Sequence, residues 1–146
     1  MSVEIERKFL VTDNSYKTAA IACYDIRQGY ISRNPDATVR IRIRNSEAFI
    51  TVKGRTHGAR RQEWEYAIPQ SDAAEMLALC EGPIIDKTRR IVDYDGHRWE
   101  IDEFHGAREG LTIAEVELSD ALEPLSLPPF VGREVTGDPQ YYNSNL

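Results

Sequence analysis

Residues 38–54 read TVRIRIRNSEAFITVKG, two runs of alternating side chains joined by Asn45 and Ser46. In the first run, three arginines alternate with three β-branched apolar residues. Successive side chains of a β-strand point to opposite faces of the sheet, so this alternation is typical of a strand with one charged and one apolar face. An Asn-Ser pair between two such runs is typical of a tight hairpin turn. The stretch therefore predicts two antiparallel strands.

Alternation of the same kind recurs along the chain, with turn-rich segments between the runs. It predicts eight strands, near residues 3–11, 24–33, 38–45, 47–54, 61–68, 85–93, 97–104 and 112–118. Asp95-Gly96 predicts a second tight hairpin turn, and Asp138-Pro139 predicts the start of a short helix in the C-terminal tail. The predicted fold class is mainly β, within the α+β type, with a few flanking helices.

Two helices are predicted between these strands. The first is short and covers about 15–21. The second covers 71–80, capped by Ser71 or Asp72, with Glu75 completing a capping box with Asp72. The apolar face of the second helix consists of Ala73, Met76, Leu77 and Cys80.

Length and composition limit the class of protein. A chain of 146 residues, 41% hydrophobic and 29% charged, is expected to form one soluble globular domain over residues 1–146. Its 24 acidic and 18 basic residues give a net charge of −6, which argues against broad nucleic-acid binding. Of the basic residues, 14 are Arg and 4 are Lys, and Arg predominates where planar donors meet carboxylates or phosphates.

The opening residues and the cysteines favour a cytoplasmic location. MSVEIERKF carries charges where a secretory signal needs an apolar core, and the sequence has no apolar run long enough to cross a membrane. Cys23 and Cys80 have no motif for metal binding or nucleophilic catalysis, so both are expected to be small buried hydrophobes. The three histidines lack the spacing of metal ligands, and no role is assigned to them.

The charged residues of the predicted strands are separated by sign. The acids in phase along the strands are Glu4, Glu6, Glu63, Glu65, Glu100, Asp102, Glu115 and Glu117, and the bases are Lys8, Arg40, Arg42, Arg44, Lys53, Lys87 and Arg89. For a single strand, a solvated sheet face explains such a pattern. A sheet built only for solubility gains nothing from segregating signs strand by strand, whereas eight strands suffice to close a barrel around a charged interior.

A charged interior of this kind suits one class of ligand. Clustered carboxylates bind hard cations such as Mg²⁺ or Mn²⁺, and clustered Arg and Lys bind phosphate oxygens. Buried charges are tolerated only when they are paired or share ligands. A complex of a divalent metal with a polyphosphate satisfies both sets of side chains.

The order of the motifs resembles the CYTH superfamily, also called triphosphate tunnel metalloenzymes. EIERKF at 4–9 matches the ExExK signature that marks the superfamily. Further motifs resemble its short bacterial branch over nearly the whole chain: QGY at 28–30, VRIRIR at 39–44, TVK at 51–53, RQEWEY at 61–66, DKTR at 86–89, WEID at 99–102, AEVEL at 114–118 and GREVTGDPQYYNSNL at 132–146. The resemblance implies an eight-stranded antiparallel closed barrel whose tunnel binds a triphosphate and a divalent metal.

The resemblance also implies roles for individual residues. The implied metal ligands are Glu4, Glu6, Glu115 and Glu117, on two strands expected to be neighbours. The triphosphate is gripped by Lys8, Arg40, Arg42, Lys53, Lys87 and Arg89. Catalytic assistance, through a second metal or the attacking water, falls to Glu63, Glu65 and Asp102, together with Lys8.

Four further residues carry no firm implied role. Glu100 and Arg44 lie in phase with the tunnel residues but are not firm members of the family set. The hydroxyl of Tyr30 either enters the tunnel and modulates it, or the ring belongs to the barrel wall. Glu134 matches a recurrent family position, but capping or a surface salt bridge explains it equally well.

The function implied is metal-dependent hydrolysis of inorganic tripolyphosphate to pyrophosphate and phosphate. Other members of the superfamily leave alternatives open: class IV adenylate cyclase, thiamine triphosphatase, and RNA or nucleoside triphosphatase. A non-catalytic module that binds polyphosphate or a nucleotide is the alternative of a different class. The expected partner is a small-molecule triphosphate, with no nucleic acid and no membrane, and a homodimer is left open.

Overall fold

A computed structural model describes residues 2–146, which contain nine strands and two α-helices. The strands are β1 (Ser2–Val11), β2 (Ala22–Ser32), β3 (Ala37–Arg44), β4 (Glu47–Gly54), β5 (Arg60–Ile68), β6 (Glu81–Tyr94), β7 (His97–Phe104), β8 (Thr112–Glu117) and β9 (Val131–Glu134). The helices are α1 (Tyr16–Ala19) and α2 (Gln70–Leu77). Single 3₁₀ turns cover Gly106–Arg108, Pro139–Tyr141 and Asn143–Asn145.

Eight of the strands close into an antiparallel barrel. Their order is β5-β4-β3-β2-β6-β7-β8-β1, and pairing of β1 with β5, from Ser2 opposite Glu63 to Ile5 opposite Arg60, closes the ring. Closure leaves these strands without the free edges that an open sheet exposes. The predicted eight-stranded closed barrel is confirmed. The short β9, which was not predicted, pairs with β1 beyond the end of its pairing with β5.

Both predicted hairpin turns are present. Asn45 joins β3 to β4 with φ 52°, and Asp95 and Gly96 join β6 to β7 with φ 47° and 81°. These positive φ angles are those that tight hairpin turns require, and Asn, Asp and Gly adopt them most readily. The Asn45 side chain also accepts a hydrogen bond from the backbone N–H of Asp25 at 2.9 Å, which fixes the turn against β2.

The helices are shorter than predicted. In α2 the expected capping box of Asp72 and Glu75 is wrong, because extended Pro69 precedes the helix and its carbonyl accepts from the N–H of Ala73 at 3.0 Å. The helix ends at Leu77, and residues 78–80 continue as i to i−3 turns. The first helix stops at Ala19 because the N–H of Ile21 already bonds to β6.

Other local predictions have mixed outcomes. The strand predicted over 85–93 extends from Glu81 to Tyr94, because Tyr30 on β2 pairs with Glu81. The short helix at Asp138-Pro139 is confirmed as a 3₁₀ turn, capped by the Asp138 side chain. Cys80 is half-buried, but the prediction that Cys23 is buried is wrong, since its side chain is exposed on β2.

The apolar face of the barrel points outward and is covered. One cluster includes Phe9 and Trp99 on the strands, with Tyr16 of α1 and Phe130 packed against them. A second places α2 against β3 and β4 through Ala73, Leu77, Ile41, Ile43 and Ala48. The charged face therefore lines the interior, which we call the tunnel. Within residues 2–146, no helix is long and apolar enough to span a membrane.

Candidate active site

The wall of the tunnel has a basic half and an acidic half, each formed by four consecutive strands of the ring. Strands β4, β3, β2 and β6 are consecutive in the ring, and β3, β4 and β6 carry Arg40, Arg42, Arg44, Lys53, Lys87 and Arg89. Strands β7, β8, β1 and β5 are also consecutive and carry Glu4, Glu6, Glu63, Glu65, Glu100, Asp102, Glu115 and Glu117. Only Lys8, on β1, departs from this division among the predicted site residues. The tunnel therefore presents cations on one side and carboxylates on the other.

Asp102 lies at the boundary between the halves and pairs with two buried cations. It is 0% exposed, and accepts from Lys87 Nζ at 2.8 Å and from Arg89 Nε and Nη2 at 2.7 and 2.9 Å. Burial alone would raise the pKa of Asp102, but the charges of Arg89 and Lys87 outweigh burial and hold that pKa well below its usual range. Asp102 therefore stays ionised and fixes both cations.

The basic half carries more positive charge than its neighbours neutralise. Burial, with repulsion from Arg40 and Arg89, lowers the pKa of Arg42 to about 9. Burial, with repulsion from Arg89 and Arg42, lowers the pKa of Lys87 to about 7 in spite of Asp102. Lowered pKa values of buried cations indicate a site that an anion would stabilise.

The acidic half shows the opposite imbalance. Burial, with repulsion from Glu115 and Glu4, raises the pKa of Glu6 to about 8. Burial likewise raises the pKa of Glu4 and of Glu117, and other carboxylates add to both shifts. The expectation that these residues lie on neighbouring strands is confirmed, since Glu6 is registered opposite Glu117 on β1 and β8. Crowded carboxylates of this kind would be stabilised by a cation.

Glu115 differs from the other three predicted metal ligands. Burial would raise its pKa, but Lys8, with help from Arg89 and Lys87, lowers the pKa of Glu115 to about 2. Lys8 Nζ lies 3.5 Å from Glu115 Oε1, directly across the β1–β8 pair. Glu115 is thus already neutralised by protein cations.

Two cations of the basic half reach across to carboxylates. Lys53 Nζ contacts both oxygens of Glu4 at 2.9 and 3.0 Å and lies 3.7 Å from Glu63. Arg40 Nη2 lies 3.4 Å from Glu65 Oε2, which also accepts from the Thr51 hydroxyl at 2.7 Å. These contacts join the two halves where β4 meets β5.

The C-terminal tail enters the site, which the sequence pattern does not indicate. Lys8 Nζ donates to the backbone carbonyl of Tyr141 at 3.0 Å, and Lys87 Nζ donates to Asn143 Oδ1 at 3.0 Å. The Asn143 amide nitrogen in turn lies 3.5 Å from Glu115. Arg33 donates to the carbonyl of Ser144. The tail therefore contacts two of the predicted phosphate-binding lysines.

One end of the tunnel is apolar. Tunnel-facing positions beyond Lys87, Asp102 and Glu115 are occupied by Ile85, Phe104 and Ile113, which pack with Tyr30 and the terminal Leu146. The Tyr30 ring belongs to this cluster and also borders the cavity beside Lys8, so both readings of Tyr30 describe part of its position. This apolar cluster fills the end of the barrel that the tail covers.

A family profile described as the CYTH domain matches residues 2–142. The chain belongs to the CYTH family. A relative from Acetivibrio thermocellus, named inorganic triphosphatase, is 48% identical over 100% of this chain and 94% of its own length. A second inorganic triphosphatase, from Nitrosomonas europaea, is 35% identical over 98% of this chain and 95% of its own length.

Solved structures agree with the CYTH assignment. A structure described as an inorganic triphosphatase superposes with a TM-score of 0.70 at 33% identity, over 97% of this chain and 95% of that chain. A Hippeastrum protein, described as a putative adenylyl cyclase with a dominant triphosphatase activity, has a TM-score of 0.60 at 13% identity and covers 82% of this chain and 80% of that chain. At that identity the second likeness shows the fold alone.

Residues left without a firm role lie at the margins of the CYTH tunnel or outside it. Arg44 lies over the rings of Tyr24 and Phe49, at 5.1 and 5.4 Å from their centroids. Glu100 accepts from Arg89 at 3.0 Å. Glu134 lies outside the tunnel in a two-bond salt bridge with Arg7, at 2.7 and 2.9 Å, so of the readings left open the structure supports the surface salt bridge.

Several polar residues of the CYTH tunnel are not among the predicted site residues. Those on strands are Gln28, Thr38, Thr51 and Arg61, each two residues from a predicted site residue and therefore on the same strand face. Extending the alternation by one step on each strand would have found them. Asn143 has no such signal, because its position depends on where the folded tail lies.

Proposed function

We propose that this CYTH protein hydrolyses inorganic tripolyphosphate to pyrophosphate and phosphate within the tunnel, using a divalent cation. The opposed charge imbalance of the two tunnel halves supports the proposal most strongly. The lowered pKa values of Lys87 and Arg42 and the raised pKa of Glu6 call for an anion on one side and a cation on the other. A metal–polyphosphate complex supplies both charges, and the names of the two relatives are consistent with it.

The acidic half suits Mg²⁺ or Mn²⁺ by its chemistry. Glu4, Glu6 and Glu117, with Glu115, offer carboxylate oxygens, which are the donors that these hard cations prefer. Within residues 2–146, no three acidic, histidine or cysteine side chains already converge as a ligand set, and Glu4 and Glu115 are instead bonded to Lys53 and Lys8. When bound, the metal neutralises phosphoryl charge and lowers the pKa of a coordinated water.

The cations would bind the triphosphate and bear its developing charge. Lys53 and Lys8 each hold a carboxylate at distances of 2.9 and 3.5 Å, so both can turn to phosphate oxygens once those carboxylates have another partner. The remaining grip comes from Arg40, Arg42, Lys87 and Arg89. Because phosphoryl transfer depends on positioning and charge stabilisation, these side chains need form no covalent intermediate.

The three predicted catalytic carboxylates differ in their surroundings. Asp102 uses both oxygens to accept from Lys87 and Arg89, and its low pKa makes it a poor base. We therefore assign Asp102 to positioning those two cations. Glu63 and Glu65 lie on β5, next to β4 of the basic half, and have fewer partners than Asp102. They would orient the attacking water and accept its proton.

Three further expectations accompany the activity. The chain would act as one domain, in the cytoplasm, with a small-molecule triphosphate as its ligand. A homodimer remains a prediction. Chromatography with light scattering at micromolar concentration measures the oligomeric state directly.

Substrate and metal are tested together by phosphate release. Tripolyphosphate, ATP and thiamine triphosphate are compared side by side with Mg²⁺, with Mn²⁺ and with EDTA. We expect release from tripolyphosphate only when metal is present. If none of the three is hydrolysed while tripolyphosphate still binds, the protein is a binding module and not an enzyme.

Variants separate the proposed roles. Glu4→Gln and Glu117→Gln should abolish metal-dependent turnover, because each removes a carboxylate from the crowded acidic half. Arg40→Ala should mainly raise KM. Glu75→Gln, on the exposed side of α2, is the matched control and should leave kcat and KM unchanged. Equal effects on KM alone from the first three variants would contradict the assignment.

A further inference from the structure

Two buried hydrogen-bond donors in the tunnel wall have no acceptor. Within residues 2–146, the buried side-chain polar atoms without a partner are Gln28 Nε2, Arg40 Nε, His97 Nδ1 and Trp99 Nε1. The last two lie on β7 outside the tunnel set, whereas Gln28 and Arg40 lie on the adjacent strands β2 and β3. Buried polar groups are nearly always hydrogen-bonded in folded proteins, so two such atoms on one tunnel wall call for an explanation.

The orientation of the Gln28 amide follows from its contact with Arg42. Arg42 Nε donates to Gln28 Oε1 at 2.8 Å. A guanidinium has donors and no acceptor, so the amide atom that meets it must be the carbonyl oxygen. The NH₂ group is therefore directed away from Arg42, and it is buried without an acceptor in the protein, since Gln28 is 0% exposed.

Gln28 occupies the middle of the basic half. Strand β2 lies between β3 and β6, which carry four of the proposed phosphate-binding cations. Gln28 is registered opposite Arg42, and Tyr30, two residues further, is registered opposite Arg40. Directly opposed residues of an antiparallel pair share a face, so the free amide of Gln28 and the free Nε of Arg40 lie on one wall at diagonal positions.

We propose that Gln28 is a further substrate-binding residue, whose Nε2 donates to a phosphoryl oxygen while its Oε1 holds the Arg42 guanidinium. This inference rests on the proposed function and names one more contact in the same site. An amide NH₂ group only donates, so the missing partner of Nε2 must be an acceptor, and the cations on the flanking strands β3 and β6 favour an anionic one. A polyphosphate offers acceptor oxygens along its whole length, and Arg40 Nε would donate to the same chain of oxygens.

Two near-isosteric variants test the donor. Gln28→Met removes both amide contacts, and loss of a hydrogen bond to a charged group should raise KM for tripolyphosphate about 10-fold or more, with kcat changed far less. Gln28→Glu keeps an acceptor for Arg42 but places a carboxylate oxygen where a phosphoryl oxygen is expected. Gln28→Glu should therefore have a KM roughly 10-fold above that of Gln28→Met. Gln70→Glu, the same change at an exposed position on α2, should leave KM unchanged.

The outcomes are distinguishable from failure of the proposed function. If the unmodified protein hydrolyses tripolyphosphate and Gln28→Glu raises KM no more than Gln28→Met does, the donor role is wrong and the activity stands. If the unmodified protein hydrolyses nothing, the proposed function itself fails. Thermal melting of each variant identifies a loss caused by unfolding.

A spectroscopic measurement keeps the inference testable even if the variants unfold. In ¹⁵N-labelled unmodified protein, the side-chain NH₂ resonances of Gln28 are assigned through bonds and followed as tripolyphosphate is added with EDTA or with Ca²⁺, under whichever condition calorimetry shows saturation without turnover. A new hydrogen bond to phosphate should move one of the two proton resonances downfield. If these resonances stay unchanged at saturation, the contact does not form. If neither condition gives saturation, the KM comparison of the variants decides.

Discussion

The ion pairs around Asp102 are expected to make a large contribution to the stability of the fold. In Asp102→Asn, the two buried cations lose the negative charge that lies between them. Lys87 is 0% exposed and Arg89 is 6% exposed, so solvent cannot compensate for the lost negative charge. The new amide keeps one acceptor oxygen, but its NH₂ group faces donors that now contact Asp102 at 2.7–2.9 Å.

The expected loss follows from breaking a buried ion pair on one side only. Such changes cost about 3–5 kcal/mol, because an uncompensated charge stays buried, here above all that of Arg89, whose pKa stays high. For a chain of 146 residues this corresponds to a fall of roughly 10–15 °C in Tm. Urea unfolding at pH 7 measures the free energy, and calorimetry measures Tm.

Asp93→Asn is the matched control. Asp93 lies on the neighbouring strand, β6, and pairs with Arg98 at 3.1 Å, but the two side chains are 54% and 65% exposed. Exposed pairs contribute about 0–1 kcal/mol, so this variant should unfold almost as the unmodified protein does. A cost below about 1 kcal/mol for Asp102→Asn, or equal costs for the two variants, would show that Asp102 does not compensate buried charge.

Two further predictions concern the outer salt bridge and the tail. Hydrogen bonds from Arg7 and Thr136 lower the pKa of Glu134 below its ordinary value of 4.5, so Glu134 contributes stability that is present above about pH 4.5 and is lost as pH falls through the lowered pKa. Glu134→Gln should therefore reduce the fall in the free energy of unfolding, measured with urea, between pH 5 and pH 3. An unchanged fall would show that other groups cause this pH dependence. Asn143→Ala removes the side chain that bonds Lys87 at 3.0 Å and lies 3.5 Å from Glu115, and it should cost about 1–2 kcal/mol in urea unfolding at pH 7. No measurable loss would mean that the tail does not depend on Asn143.

The strands and the tunnel residues could be predicted because their signal is local. Alternation over five or six residues specifies which side chains share a face, and VRIRIR at 39–44 therefore placed Arg40 and Arg42 in the tunnel with no knowledge of the neighbouring strands. The predicted hairpin turns depend on two residues each, and both were found. The same logic, carried two residues further along the strand, would have included Gln28 and Thr51.

The remaining features depend on contacts between distant parts of the chain. The division into halves requires β2 to pair with β6 and β1 to pair with β8, and neither pairing has a local signature. Strand β9 and Asn143 take their positions from β1 and the tunnel. The exposure of Cys23 on β2 depends on how the helices and tail pack over the barrel, and the start of α2 was shifted by extended Pro69.

Metal-dependent hydrolysis in the tunnel is tested most directly by phosphate release from inorganic tripolyphosphate by the purified 146-residue chain, measured with Mg²⁺ or Mn²⁺ and again with excess EDTA. With metal, one phosphate and one pyrophosphate should form for each tripolyphosphate consumed. With EDTA, turnover should cease and should return when the metal is restored. Turnover that persists in EDTA, or no turnover with either metal while tripolyphosphate binds, would contradict metal-dependent hydrolysis in this tunnel.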